Sequence, residues 1–154
     1  MNKEEILRRY QNEKDEGKVF FEKEIHYIKK YIDLQKIRTS SRDFVKLNLK
    51  GTFSGVLVEP MLLMPFIENA FKHAENKREG NVIEIEISGS EKSIEFSCKN
   101  SYLPDTGMKD EFSGLGNELI KKRMNLLFPG KHELVISDAN EIFHVLLKID
   151  LDEN

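Results

Sequence analysis

Cysteine is nearly absent from this 154-residue chain, Cys98 being the single example. One thiol excludes an internal disulfide and a cysteine-rich zinc site, and it fits a reducing compartment. Long apolar runs are missing as well. The longest, VLVEPMLLMPFI, is broken by Glu59, Pro60 and Pro65, so it is not a membrane span. The opening MNKEEILRRY is charged from its third residue and lacks the pattern of a signal peptide. Positive charge is not in excess: 24 Lys and Arg against 27 Asp and Glu give a net charge of −3. That balance supplies no broad basic field, so nucleic acid is not an expected partner. The four histidines, His26, His73, His132 and His144, are scattered without regular spacing and suggest no metal site. What is present is ordinary for a soluble globular domain, with 39% hydrophobic and 33% charged residues. The length suits one domain with a real core.

The first 40 or so residues are helical in pattern and highly charged. Ile25, Ile28, Ile32 and Gln35, with Tyr31 and Leu34 alongside, recur at helical spacing, while Glu24, Lys29, Lys30 and Asp33 are expected to point away. TSSRD after Arg38 supplies turn and capping residues. Gly17 sets off a leading segment, Glu4 to Glu13, too poor in apolar residues to be stable alone. From Phe44 the period changes to two. Val45, Leu47 and Leu49 alternate with polar residues, as do Ile83, Ile85 and Ile87, then Ile94, Phe96 and Cys98. Leu134 and Ile136 mark another strand, and Phe143, Val145, Leu147 and Ile149 a last one. Such alternation predicts a sheet with one covered and one wet face. Helices over 22–38, 60–75 and 115–128 must then share one face. The expected fold is α+β, a two-layer α/β sandwich with a mixed, mostly antiparallel sheet.

Two stretches carry candidate chemistry. In FIENAFKHA, Phe66, Ile67, Ala70, Phe71 and Ala74 fall on one helical arc of about 140°, and Glu68, Asn69, Lys72 and His73 on the opposite one. A wet helix face with a Glu68–Lys72 pair would account for this pattern. A face looking into a site accounts for it too, and gives a reason for Asn69, a poor helix former, in mid-helix. The second stretch follows the strand SIEFSCKN. Asn100 lies on the inward phase, one step beyond Cys98, so its amide points toward the helix layer. SYLPDTGMKDEF is turn-rich, and residues 101–113 are expected to form a mobile lid. Then SGLG opens a helix, where Gly114 and Gly116 bare backbone N–H groups and the positive dipole end to an anion. The same glycines also suit a plain turn and cap. Taken together, an Asn–Lys helix, Asn100 and a glycine-rich helix start make a nucleotide pocket plausible, with an amide able to ligate Mg²⁺ and a cation to balance phosphate.

These residues resemble a known family. IENAFKHA looks like the N box of GHKL-type ATPases, whose pattern is near ENAxKH. VEPMLLMPFIENAFKHA is similar to the corresponding stretch of LytS/YehU-type sensor histidine kinases, near PPLLLQPLVENAIKHG. VFFEKEIHYIKKYIDLQKIR resembles their V-x-L-x-x-E-I-x-Y-I-x-x-Y-I-x-L-x-x-x-R helix, and GLGNELIKKRMNLLFPGKH resembles GIGLKNVKKRLELLYP. The likeness runs over about residues 5–151. It departs at the G1 box, D-x-G-x-G in the family, whose Asp contacts the adenine amine. Here Asn100 stands at that Asp and the first glycine is absent. Asn117 replaces an apolar residue, and Leu119 stands where Asn is common.

The resemblance implies the Bergerat (GHKL ATPase) fold. It also implies residues 1–40 as the end of a dimerisation or linker region and 41–154 as the ATP-binding catalytic domain of a two-component sensor histidine kinase. ATP and Mg²⁺ are the implied cofactors. Asn69 is the implied metal ligand, and Lys72 and His73 would lie beside the phosphates. Glu68, with Asn69, would be catalytic, acting as general base on the attacking imidazole. Asn100 would read adenine, and Gly114, Leu115 and Gly116 would line the phosphates. The family's phosphoacceptor lies in a segment like LQAQINPHFLFN, and none of this chain's histidines has that context. The implied partners are therefore that histidine segment of the full-length kinase, a response regulator and a second copy in a homodimer. The implied setting is the cytoplasmic side of an inner-membrane-anchored protein. Loss of the G1 pattern leaves a second reading, a decayed GHKL-fold scaffold with weak or no ATP binding. A stand-alone GHKL ATPase of another class is disfavoured by the matching N-terminal helix.

Overall fold

The computed structural model describes residues 17–38, 44–73, 82–101 and 115–151, with only the backbone described at His73 and at 115–117. In chain order the elements are β1 (Val19–Phe20), α1 (Phe21–Ile37), β2 (Val45–Gly51), β3 (Leu57–Val58) and α2 (Met64–His73). They continue with β4 (Ile83–Gly89), β5 (Ser93–Ser101), α3 (Leu115–Leu127), β6 (His132–Ala139) and β7 (Ile142–Asp150). Five strands make one sheet in the order β2-β4-β5-β7-β6, and β1 and β3 pair as a separate two-stranded ribbon. Only β2 and β4 run parallel; the other neighbours in the sheet are antiparallel.

The alternation in sequence becomes two distinct faces. Ile83, Ile85 and Ile87 of β4, Ile94, Phe96 and Cys98 of β5, and Phe143, Val145, Leu147 and Ile149 of β7 are all buried. Their neighbours Glu84, Glu86, Glu95, Lys99 and Lys148 are exposed on the opposite side. The buried set forms one core with Phe21, Ile25, Ile28 and Ile32 of α1, Phe66, Ile67, Ala70 and Phe71 of α2, and Met124 of α3. All three helices therefore cover the same face, as the two-layer reading requires. Gly51 and Gly89 face each other where β2 and β4 end. Gly51 has φ of 87°, and a methyl group there would overlap the Gly89 carbonyl, so neither position accepts a side chain easily.

Three expectations are corrected. The β1–β3 ribbon was not expected, because two-residue strands are too short to show a period. The middle helix begins at Met64 instead of residue 60; residues 60–63 form a turn in which Met61 has a left-handed φ of 59°. Glu24 does not point away from the core: it is buried, with 5% of its surface exposed. The leading segment 4–13, the TSSRD stretch and, of the lid expected at 101–113, all but Ser101 lie outside the described residues; Ser101 ends β5.

Candidate functional site

α2 is anchored at both ends. Its first turn contains no acidic residue of its own, so the positive end of the helix has no local carboxylate. Glu24 of α1 provides one. Its Oε1 accepts from Leu62 N at 2.7 Å and its Oε2 from Leu63 N at 3.0 Å. Arg123 of α3 holds the same turn from outside, donating to the carbonyls of Met61 at 2.7 Å and Pro60 at 2.9 Å. Burial pushes the Glu24 carboxyl above its ordinary value, while the Leu63 and Leu62 N–H groups and the Arg123 charge act in the other direction. Helical spacing alone misassigned Glu24, and it said nothing of Arg123. The usable signal lay in the family patterns, which carry a Glu and an Arg at these two positions.

Aromatic contacts then aim the helix along the sheet. Phe66 packs on Phe96 of β5 with ring centroids 5.6 Å apart. One and a half turns on, Phe71 meets Tyr31 of α1 at 5.3 Å and Phe44 at 5.8 Å, both edge-to-face. The Phe44 carbonyl accepts from Ile83 N at 2.7 Å, and Ile83 is paired in register with Asn100. The second half of α2 therefore lies at the end of the sheet where β5 finishes. α3 starts from the same end. Leu127 and Phe128 close it at the opposite end, beside Asp150 and Leu151, so its first residue, Leu115, faces the Asn100 end.

The expected site residues fall within this frame as follows. Glu68 and Lys72 are exposed on α2, and Asn69 is half-buried between them and the core side of the helix. The polar arc is thus graded in burial, Asn69 being less exposed than the two charged residues. His73 closes α2, but its side chain lies outside the described residues, as does Gly114. Leu115 and Gly116 open α3, with backbone alone described.

Asn100 is the unusual member. It is 1% exposed, and among the described residues neither Oδ1 nor Nδ2 has a hydrogen-bond partner. Its register neighbours are Ile83 on one side and Phe143 on the other, both buried and apolar. An unpaired buried amide costs about 1–3 kcal/mol, and nothing inside the fold recovers that cost. A planar ligand offering a donor and an acceptor at one edge would satisfy it. Cys98, two residues earlier on the same face, is 2% exposed, and burial pushes its thiol up to about 12, so it is packing and not a nucleophile.

The other histidines stand apart from this end of α2 or are engaged. His26 is exposed on α1, His132 Nδ1 lies 2.7 Å from the Phe128 carbonyl, and His144 Nε2 lies 3.0 Å from Ser97 Oγ on the outer sheet face. Among the described residues no cluster of His, Cys, Asp and Glu could hold a metal by itself. Two clefts lie elsewhere. One of about 310 Å³ sits on the wet sheet face around Glu86, Glu95 and Lys148, and one of about 510 Å³ lies around Lys18, Glu59 and Lys131. Neither includes Asn69 or Asn100, and neither has a buried unpaired polar group to point to a ligand.

Known proteins share the fold. The catalytic domain of histidine kinase ThkA superposes with a TM-score of 0.54 at 13% identity, covering 86% of this chain and 94% of that one. The histidine kinase AdeS of Acinetobacter baumannii gives 0.56 at 14% identity, covering 88% and 67%. ThkA in complex with the response regulator protein TrrA gives 0.55 at 12% identity, covering 88% and 41%. The chain thus has the fold of histidine kinase catalytic domains. In sequence, 70 residues, 45% of the chain, are 31% identical to the sensor histidine kinase/phosphatase LytS of Staphylococcus aureus. The matched part spans 12% of the relative's length. No family model matches the chain.

Proposed function

We propose that this chain is the ATP-binding catalytic part of a two-component sensor histidine kinase. It would transfer the γ-phosphate to a histidine of the full-length protein that lies outside this chain. The observation that carries the reading is the buried, unpaired amide of Asn100 at the sheet end toward which α2 runs and from which α3 starts. Residues 1–40 would form the end of the linker or dimerisation region, and 41–154 the nucleotide-binding part.

The donor set fits a magnesium nucleotide. The half-buried Asn69 carbonyl oxygen suits a hard cation that takes most of its ligands from phosphate and water. Mg²⁺, when bound there, would neutralise charge on the phosphate oxygens. Lys72 would add a cation at the phosphates, and His73 would lie beside them. The N–H groups of Gly114, Leu115 and Gly116 would receive the phosphates at the start of α3. Asn100 would bind the base. Glu68 is exposed, which suits a carboxylate that must reach an imidazole arriving from outside; it would accept the proton from that ring's nitrogen. The response regulator, a homodimeric full-length form and a membrane anchor belong to the same proposal. Among the described residues, no helix is long and apolar enough to cross a membrane.

Isothermal titration with a non-hydrolysable ATP analogue tests the reading. Binding is expected with Mg²⁺, weaker binding without it, and a loss of at least about tenfold in Asn69→Ala, the scale of one charge-assisted ligand contact. No heat at millimolar nucleotide would leave only the scaffold function.

A further inference from the structure

We infer that the base-reading position of this site accepts 6-oxopurines as well as 6-aminopurines, so that hypoxanthine or guanine nucleotides bind alongside adenine nucleotides. The inference rests on the nucleotide reading above and concerns which base that nucleotide carries.

Base choice at a buried site is set by the hydrogen-bonding groups that face the base edge. Among the described residues only two polar side chains are buried, Glu24 and Asn100. Glu24 is occupied by the Leu62 and Leu63 N–H groups at the start of α2. Asn100 is left, flanked in register by Ile83 and Phe143, whose side chains have no polar atoms. An amide carries both kinds of group, an acceptor at Oδ1 and donors at Nδ2. Neither is engaged, so no hydrogen bond fixes which of the two faces the ligand. The terminal amide torsion is broad and roughly two-fold, so the side chain can turn end for end.

The two purine classes present opposite patterns along one edge. Adenine offers a donor at its 6-amino group beside an acceptor at N1. Hypoxanthine and guanine offer an acceptor at O6 beside a donor at N1. In one orientation the Asn100 amide meets the first pair, Oδ1 accepting from the amine and Nδ2 donating to N1. Turned over, it meets the second pair equally well, Nδ2 donating to O6 and Oδ1 accepting from N1–H. A carboxylate at this position could only accept. It would accept from the 6-amino group of adenine or from N1–H of hypoxanthine and would face an unmatched acceptor in either case, N1 or O6, so only an amide pairs the whole edge of both.

The test is competitive equilibrium binding of ADP, IDP and GDP, with Mg²⁺, to the full chain and to Asn100→Asp. IDP is the decisive probe, because hypoxanthine differs from adenine only along the edge in question and lacks guanine's 2-amino group. For the native chain the ADP and IDP dissociation constants should agree within about tenfold, and Asn100→Asp should weaken both by about tenfold, since a carboxylate leaves the acceptor of either edge unmatched. If Asn100→Asp does not fold, Asn100→Leu replaces it. With both groups gone, ADP and IDP should weaken together and their ratio stay near one. A native chain that binds ADP and rejects IDP by 100-fold overturns the inference and leaves the nucleotide reading intact. So does an Asn100→Asp protein that binds both nucleotides as tightly as the native chain. Failure of the native chain to bind any of the three nucleotides overturns both.

Discussion

Asn100 is the residue on which the proposed nucleotide site rests most directly. A buried amide without partners lowers stability, and the side chains on either side of it would pack well against an aliphatic group. Asn100→Leu, with the same number of side-chain heavy atoms in the same branching, is therefore expected to raise the unfolding free energy by about 1 kcal/mol or more while weakening nucleotide binding. Urea unfolding checks the first half; a destabilised Asn100→Leu protein would mean that the amide has a structural partner. This residue was legible in advance. Counting in twos from Ile94 puts Asn100 on the covered face, and an amide there has no packing reason. Glu24 was not legible in the same way. At helical spacing it sits among charged neighbours, and only its reach across to a turn 38 residues away makes it a buried cap.

Between elements, the start of α2 is where sequence and structure differ most, and the cause is tertiary. Pro60 and the left-handed Met61 end the extended chain in a turn, and that turn is closed by side chains of α1 and α3 and not by local capping. Residues 60–63 therefore looked helical by composition and are not. The other helix limits agree closely, 21–37 and 115–127 against the expected 22–38 and 115–128, because long periodic segments carry their own signal. Glu24→Ala strips the acceptors from two buried N–H groups and should cost about 3 kcal/mol, against about 1 kcal/mol for Arg123→Ala on the exposed side. Urea midpoints of the two variants test the order. Equal, small losses would show that α2 holds its position without the cap. Since α2 carries Asn69, both variants should also weaken the nucleotide, although neither residue is expected to touch it.

For the whole molecule, one covered sheet face and one wet face were readable from alternation, and the sheet order was not, since it depends on pairing across long separations. The parallel β2–β4 pair joins strands more than thirty residues apart in sequence, with α2 between them. The phosphate would have to leave the molecule in the proposed reaction. His26 is exposed on α1, and His132 and His144 are engaged at the Phe128 carbonyl and at Ser97. None of the four histidines has the sequence context of an acceptor. The chain alone is accordingly expected to take up no acid-labile label from γ-labelled ATP, and stable label on His26 or His73 would contradict the division of labour proposed here.

The central claim is that one end of the sheet, bounded by α2, the end of β5 and the start of α3, holds a magnesium nucleotide. Nitrogen-15 spectra of the full chain, recorded while a non-hydrolysable ATP analogue and Mg²⁺ are added, test it residue by residue. The side-chain amide signals of Asn69 and Asn100 should shift together along one binding curve, while the backbone amides of Lys131 and Asp150 at the opposite end stay still. Shifts confined to the wet-face cleft around Glu86, Glu95 and Lys148, with Asn69 and Asn100 unmoved, would contradict it.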